Sequence, residues 1–233
     1  MKYFIDTEFI EGFHKPLFGK RRHFIDLISI GIVCEDGREY YAISSEFNPK
    51  DADEWVRDNV IHPIEINLYQ QLSPVEKDRH YSNRGKSAFK YLLDRFGKSN
   101  KQISEEVFQF CSQDTLSLEK AKHYDVKYEK NEFYAYYADY DWVVFCSLFG
   151  RMIDLPNGFP MYCKDLKQML DDFVTEKWLP DSKSYMQGTG VDITFDLALE
   201  KLKGLDEYPK QENEHSALDD AIWNMKLYNF LKK

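Results

Sequence analysis

Apolar residues come first in short runs of β-forming type and later at helical spacing, so the chain reads as α/β before any chemistry is considered. Tyr3, Phe4 and Ile5 predict a strand over residues 2–6. Asp26-Leu-Ile-Ser-Ile-Gly-Ile-Val-Cys34 and Glu39-Tyr-Tyr-Ala-Ile-Ser44 are two further β-rich runs. Between them lies Glu35-Asp36-Gly37-Arg38, whose Asp-Gly pair favours a tight hairpin, so three antiparallel strands are expected first. Segments near 52–60 and 84–97 read as helices, the second carrying Ala88, Tyr91, Leu92 and Phe96 with Gly97 as its stop. Residues 98–132 are polar and receive no assignment.

Phe133-Tyr-Ala-Tyr-Tyr-Ala138 then predicts a buried strand, followed by a helix from about Asp141 to Phe149 with Gly150 as its C-terminal signal. Helices near 165–173, 196–203 and 216–231 complete the pattern, separated by polar loops at 179–195 and 204–214 that contain glycine, proline and serine. The sequence has no internal repeat, and a single domain over 1–233 is expected.

Composition narrows the class. Hydrophobic residues make up 43% of the 233 and aromatic residues 16%, enough for a packed core. Cys34, Cys111, Cys146 and Cys163 are far apart, which argues against a zinc site and a disulfide framework and favours a reducing cytoplasm. No apolar stretch approaches the roughly 20 residues that span a bilayer. The net charge of −9 would ordinarily repel another polyanion. Lys15, Lys20, Arg21, Arg22 and His23 nevertheless form a basic segment close in sequence to the first strand, where either a solvated loop or phosphate contact fits.

Two acidic clusters carry the candidate chemistry. Asp6 and Glu8 stand two apart on the first strand, so their side chains converge on one face. Near the other end, His215 and Asp220 are five apart and would diverge on a continuous helix. Ser216-x-x-Asp219 has the form of a capping box, which would make Ser216 the N-cap, give Asp219 a structural role and leave His215 outside the helix, free to turn back toward Asp220. Asp139 and Asp141 compete at the start of the middle helix, since either could cap it. The aromatic run 133–137 fits strand core better than a base-stacking platform, and Ser29 and Gly31 fit strand packing. Clustered carboxylates with no cysteine or histidine cluster suit hard divalent ions, Mg²⁺ or Mn²⁺.

Asp6-Thr-Glu8 on a first strand, an aspartate opening a middle helix and a final His-x-Ala-x-x-Asp resemble the DnaQ-like 3′-5′ exonucleases of the DEDDh type. More narrowly, Tyr3-Phe-Ile-Asp-Thr-Glu-Phe-Ile-Glu11, Leu27-Ile-Ser-Ile-Gly31, Glu35-Asp-Gly-Arg-Glu-Tyr-Tyr-Ala42 and Tyr140-Asp-Trp142 resemble the bacterial RNase AS group of exoribonucleases. The resemblance implies an RNase H-like fold, with a mixed central sheet flanked by helices. It further implies metal-dependent removal of nucleotides from the 3′ end of single-stranded RNA, adenylate-rich ends as substrate, and a homodimer. It selects Asp141 over Asp139, leaving Asp139 as the cap, and makes His215 the general base. Asp6, Glu8 and Asp220 become ligands of two divalent ions, with Asp141 supporting the second. Segments 13–23 and 98–132 fall outside its guidance. Two rivals remain at this point: a DnaQ-like exonuclease acting on DNA, because the catalytic set does not encode the sugar, and a binding module of the same fold without turnover.

Overall fold

The computed structural model describes residues 1–14, 19–82, 88–112, 131–178 and 194–233. Lys15 of the basic segment and residues 179–193 of the polar loop expected at 179–195 therefore lie outside the described residues. Five strands form one mixed sheet in the order β3-β2-β1-β4-β5. Strands β1 (Lys2–His14), β2 (Arg22–Cys34) and β3 (Glu39–Ile43) are the antiparallel half that the sequence predicts. Strands β4 (Glu132–Ala135) and β5 (Lys164–Asp165) add in parallel beyond β1. Gly37, at φ 89°, makes the β2–β3 turn in a backbone region that other residues enter only at a cost.

Strand β1 does not stop at Asp6 as expected. It runs on to His14, because β2 stays paired with it to Arg22 and supplies the hydrogen bonds that the rest of the sheet no longer offers. The ladder shifts register between Glu8 and Phe9: Glu8 faces Ser29 while Phe9 faces Leu27, leaving Ile28 as the extra residue of a bulge. Ile10, beyond the bulge, is still buried.

Successive residues of β1 enter different cores. Tyr3 and Ile5 join Phe108, Phe133 and Phe145, whereas Phe4 joins Tyr134, Leu166, Leu170 and Leu227. Ile10, Ile28 and Ile43 form a third cluster with Val60, Ile64 and Leu92.

The helix expected near 52–60 is the start of a longer segment: α1 (Glu54–Val56), a π-helical turn (Arg57–Ile61) and α2 (His62–Gln71). Val60, Ile64 and Leu68, spaced four apart and buried, explain the extension. Helix α3 (Pro74–Ser82) follows, then α4 (Ala88–Phe96) where a helix was expected. Helix α5 (Asn100–Ser112) fills part of the unassigned stretch; its buried Ile103, Val107 and Cys111 show the same spacing.

Strand β4 ends at Ala135, short of the expected 138, because Tyr136 and Tyr137 make a turn with Tyr137 left-handed at φ 58°. Helix α6 (Ala138–Ser147) starts three residues earlier than expected. Its first N–H, from Ala138, is donated to Asp165 Oδ2 at 3.1 Å, so Asp165 rather than Asp139 caps it. Asp165 Oδ1 meanwhile accepts from Lys167 and Gln168 and caps α7 (Leu166–Phe173). Helices α8 (Phe195–Lys203) and α9 (Ala217–Leu231) complete the layers. Among the described residues, no helix is long and apolar enough to cross a membrane.

Candidate active site

Asp6 and Glu8 share one face of β1 with Phe4, the face on which α9 packs. Gly31, the β2 partner of Asp6, lies under the first turn of that helix. A Cβ at Gly31 would stand 2.1 Å from the Ala217 carbonyl oxygen and 2.5 Å from Leu218 Cα, so only glycine lets the helix sit this close. One turn further along, buried Asn224 donates from Nδ2 to the Ile5 carbonyl at 2.9 Å and pins α9 to β1. The outcome is that Asp6, Glu8 and Asp220 each present a carboxylate oxygen, all within 4.8 Å of one another.

Asp141 comes from the start of α6 and is tied to the strand between the first two carboxylates. Its Oδ1 accepts from the Thr7 N–H at 2.8 Å and from Thr7 Oγ1 at 2.6 Å. The flanking aromatics reinforce that docking: Phe9 and Tyr140 stack at 5.9 Å with 13° between their planes.

Crowding four acids in a largely buried place makes their charged forms expensive. Burial, then Asp220 and Asp141, raises Glu8 to about 8. Burial raises Asp141 to about 7 although the two Thr7 hydrogen bonds oppose the shift. Asp6 is pushed well above the ordinary carboxylate range by burial and then by Asp141, Glu8 and Asp220. Asp220 is raised by burial while Gln211 and the His215 N–H pull it back. An all-oxygen donor set with this much uncompensated charge fits hard divalent cations.

His215 lies outside α9 at φ 69°, as the sequence argument requires, and donates its backbone N–H to Asp220 Oδ2 at 2.9 Å. The capping box does not form as expected. Ser216 occupies the N-cap without a side-chain hydrogen bond, and the carboxylate that reaches back is Asp220 rather than Asp219, its acceptor oxygen meeting the residue before the cap. The reach-back hydrogen bond is thus made one residue further along on both sides, by Asp220 to His215, with no reciprocal side-chain bond from the cap.

Three further residues of the site escaped the sequence reading. Thr7, between Asp6 and Glu8, points to the opposite side of the strand and meets Asp141 there. Gln211 donates from Nε2 to Asp220 Oδ1 at 2.5 Å. Trp55, half-exposed on α1, sets its ring edge-on to the His215 imidazole at 4.7 Å. A cleft of about 530 Å³ opens beside His215 between β3, α2 and the start of α9, lined by Tyr41, Asn67, Gln71, Ser216 and Asp219 among others.

Lys20, Arg21 and Arg22 are exposed where the β1–β2 ribbon projects past the sheet. From Glu8 to His14 the strand covers roughly 20 Å at about 3.3 Å per residue, so this basic end is not gathered into the carboxylate cluster. Of the aromatic run, Phe133, Tyr134 and Ala135 are core and Tyr137 is exposed.

A mixed five-stranded sheet flanked by helices, with paired acids on its central strand, is the RNase H-like architecture of the DnaQ-like exonucleases. Residues 1–231 match the family model of the 3′-5′ exoribonuclease Rv2179c-like domain, and the chain belongs to that family. Two Mycobacterium tuberculosis proteins are similar to it: 3′-5′ exoribonuclease Rv2179c of strain ATCC 25618 / H37Rv and 3′-5′ exoribonuclease MT2234.1 of strain CDC 1551 / Oshkosh. Each is 33% identical over 172 residues, covering 74% of this chain and 75% of the relative.

Proposed function

We propose that this protein is a divalent-metal-dependent 3′-5′ exoribonuclease acting on single-stranded RNA. The observation that carries the proposal is the convergence of Asp6, Glu8 and Asp220 within 4.8 Å, with Asp141 fastened beside them through Thr7. Asp6, Glu8 and Asp220 would hold the cations, two per site, with Asp141 supporting the second. When bound, Mg²⁺ or Mn²⁺ would supply charge neutralisation at the scissile phosphate and at the departing 3′ oxygen.

The chain's own groups do the rest. His215, on the loop that Asp220 holds in place, takes the proton of the attacking water. Trp55 limits the swing of its imidazole. The cleft beside His215 takes the last nucleotides of the strand, with Tyr41 offering a ring face and Asn67 and Gln71 offering amides. Lys20, Arg21 and Arg22 contact the RNA backbone upstream, a placement supported by their exposure at the end of the ribbon that carries Asp6 and Glu8. Adenylate-rich ends and a homodimer belong to the same proposal and rest on the RNase AS resemblance; a cytoplasmic location accords with four free cysteines.

The test uses end-labelled RNA and DNA oligomers of equal sequence, incubated with Mg²⁺ or Mn²⁺ and with chelator. Stepwise shortening of RNA from its 3′ end, abolished by chelator and by Asp6→Asn, is the expected result. Shortening of DNA alone, or of RNA in the presence of chelator, refutes the proposal.

A further inference from the structure

Asp220 is gripped from one loop by two donors, one on each oxygen. Gln211 Nε2 lies 2.5 Å from Oδ1 and the His215 N–H lies 2.9 Å from Oδ2. A carboxylate has about four lone-pair directions, so one donor per oxygen still leaves each oxygen free to face a cation. The two donors differ in kind. The His215 N–H is backbone, fixed by a loop in which both Asn213 and His215 adopt left-handed φ values of 50° and 69°. Gln211 is a side chain that could point anywhere, is exposed, and instead spends its amide on a carboxylate nine residues away. Asp6 and Glu8 are held by the sheet, whereas Asp220 sits in the first turn of α9, where its carboxylate depends on outside partners for orientation.

From this geometry we infer that Gln211 is a positioning residue for the metal site: it fixes the Asp220 carboxylate plane so that its second lone pair faces Asp6 and Glu8. The inference rests on the metal-dependent function proposed above. Neighbouring donors to a ligating carboxylate set its orientation, and losing one costs on the order of tenfold or more in metal affinity. In this role Gln211 acts through Asp220, the carboxylate its amide holds. It also fastens the 204–214 loop to the site, which puts the general base and the metal ligand on one mechanical unit.

The experiment measures Mn²⁺ binding without RNA, by electron paramagnetic resonance or calorimetry, for the wild type, Gln211→Met and Glu212→Gln. Gln211→Met keeps length and removes the donor; Glu212→Gln changes an exposed neighbour in the same loop. Gln211→Met should weaken Mn²⁺ binding about tenfold with an unchanged melting temperature, and Glu212→Gln should bind within twofold of wild type. RNA hydrolysis by Gln211→Met should fall at limiting Mn²⁺ and recover to within a few-fold of wild-type kcat at saturating Mn²⁺, a rescue that a merely structural role would not give. Affinity unchanged or tightened in Gln211→Met, in a wild type that binds Mn²⁺ and shortens RNA, overturns the role of Gln211 and leaves the nuclease proposal standing. A wild type that binds no Mn²⁺ overturns both. Should Gln211→Met prove unstable, Gln211→Asn, which withdraws the amide by one methylene, must show the same weakened binding and the same rescue, and wild-type affinity there overturns the inference.

Discussion

Replacing Gly31 by alanine adds one methyl group, and the structure says where it goes. The new Cβ would lie 2.1 Å from the Ala217 carbonyl oxygen and 2.5 Å from Leu218 Cα, both backbone atoms that no rotamer change can remove. The start of α9 must retreat by at least about 1 Å before the contact becomes ordinary. Overpacking of this kind costs about 1–3 kcal/mol, small enough for the fold to survive. The retreat acts directly on function, because Asp220 is in the turn that moves and its oxygen must stay within 4.8 Å of those of Asp6 and Glu8. A displacement of about 1 Å in a positioned group can lower turnover on the order of a hundredfold. Gly37→Ala is the matched comparison. Gly37 has open space around its Cβ position and a φ of 89°, so alanine there should cost about 1 kcal/mol through backbone strain alone and leave activity intact. The assays are urea denaturation and initial rates on end-labelled RNA. If Gly31→Ala lost stability without losing activity relative to Gly37→Ala, the claim that this glycine seats the metal-ligand helix would fail.

Other outcomes follow from the same geometry. Glu8, ordinarily near 4.5, is raised to about 8, so between those values the cation-free folded protein binds more protons than the unfolded chain and loses stability as pH rises. Melting temperature in chelator should therefore fall across that window, more shallowly for Glu8→Gln, and Mg²⁺ should flatten it; a flat or rising profile in chelator would contradict the crowding of charge at the site. Trp55→Ala should lower kcat several-fold with little change in melting temperature, since Trp55 is half-exposed and, in the proposed mechanism, confines His215. Wild-type kcat in that variant would remove Trp55 from the mechanism. Glutamine at Lys20, Arg21 and Arg22 together should raise KM several-fold, leave kcat alone and reduce the salt dependence of binding; unchanged KM and salt slope would make the ribbon end a solvated loop.

What the sequence discloses depends on how local the cause is. Asp6 and Glu8 converge by strand period alone, and the five-residue gap between His215 and Asp220 demands a helix boundary between them, so both were legible. The length of β1 was not, because Phe9 to His14 are strand only by virtue of β2 pairing with them to Arg22. Helix α5 was legible in principle, its buried positions four apart, but charged neighbours masked the stripe. Ser216 and Asp219 have the letters of a capping box, yet the Ser216 N–H goes to the Asn213 carbonyl and Asp220 accepts from the His215 N–H, a pairing set by the left-handed loop before the helix that a pattern match does not see. Gln211 stands among polar loop residues, and nothing in its neighbours sets it apart from Lys210 or Glu212. Trp55 meets His215 across 160 positions of chain, a contact that joins α1 to the loop before α9 and that no local preference announces.

Asp165 gives the site an unexpected vulnerability. One of its oxygens starts α7 and the other holds the first N–H of α6, three residues ahead of Asp141. The residue itself stands on β5, one of the two edge strands. A change at the margin of the sheet would thus loosen two helix origins together and be registered as a nuclease defect, although no reacting group had been altered. Residual variants that misplace Asp141 without touching the acidic cluster have an address in this protein, and it is at the far edge of the sheet.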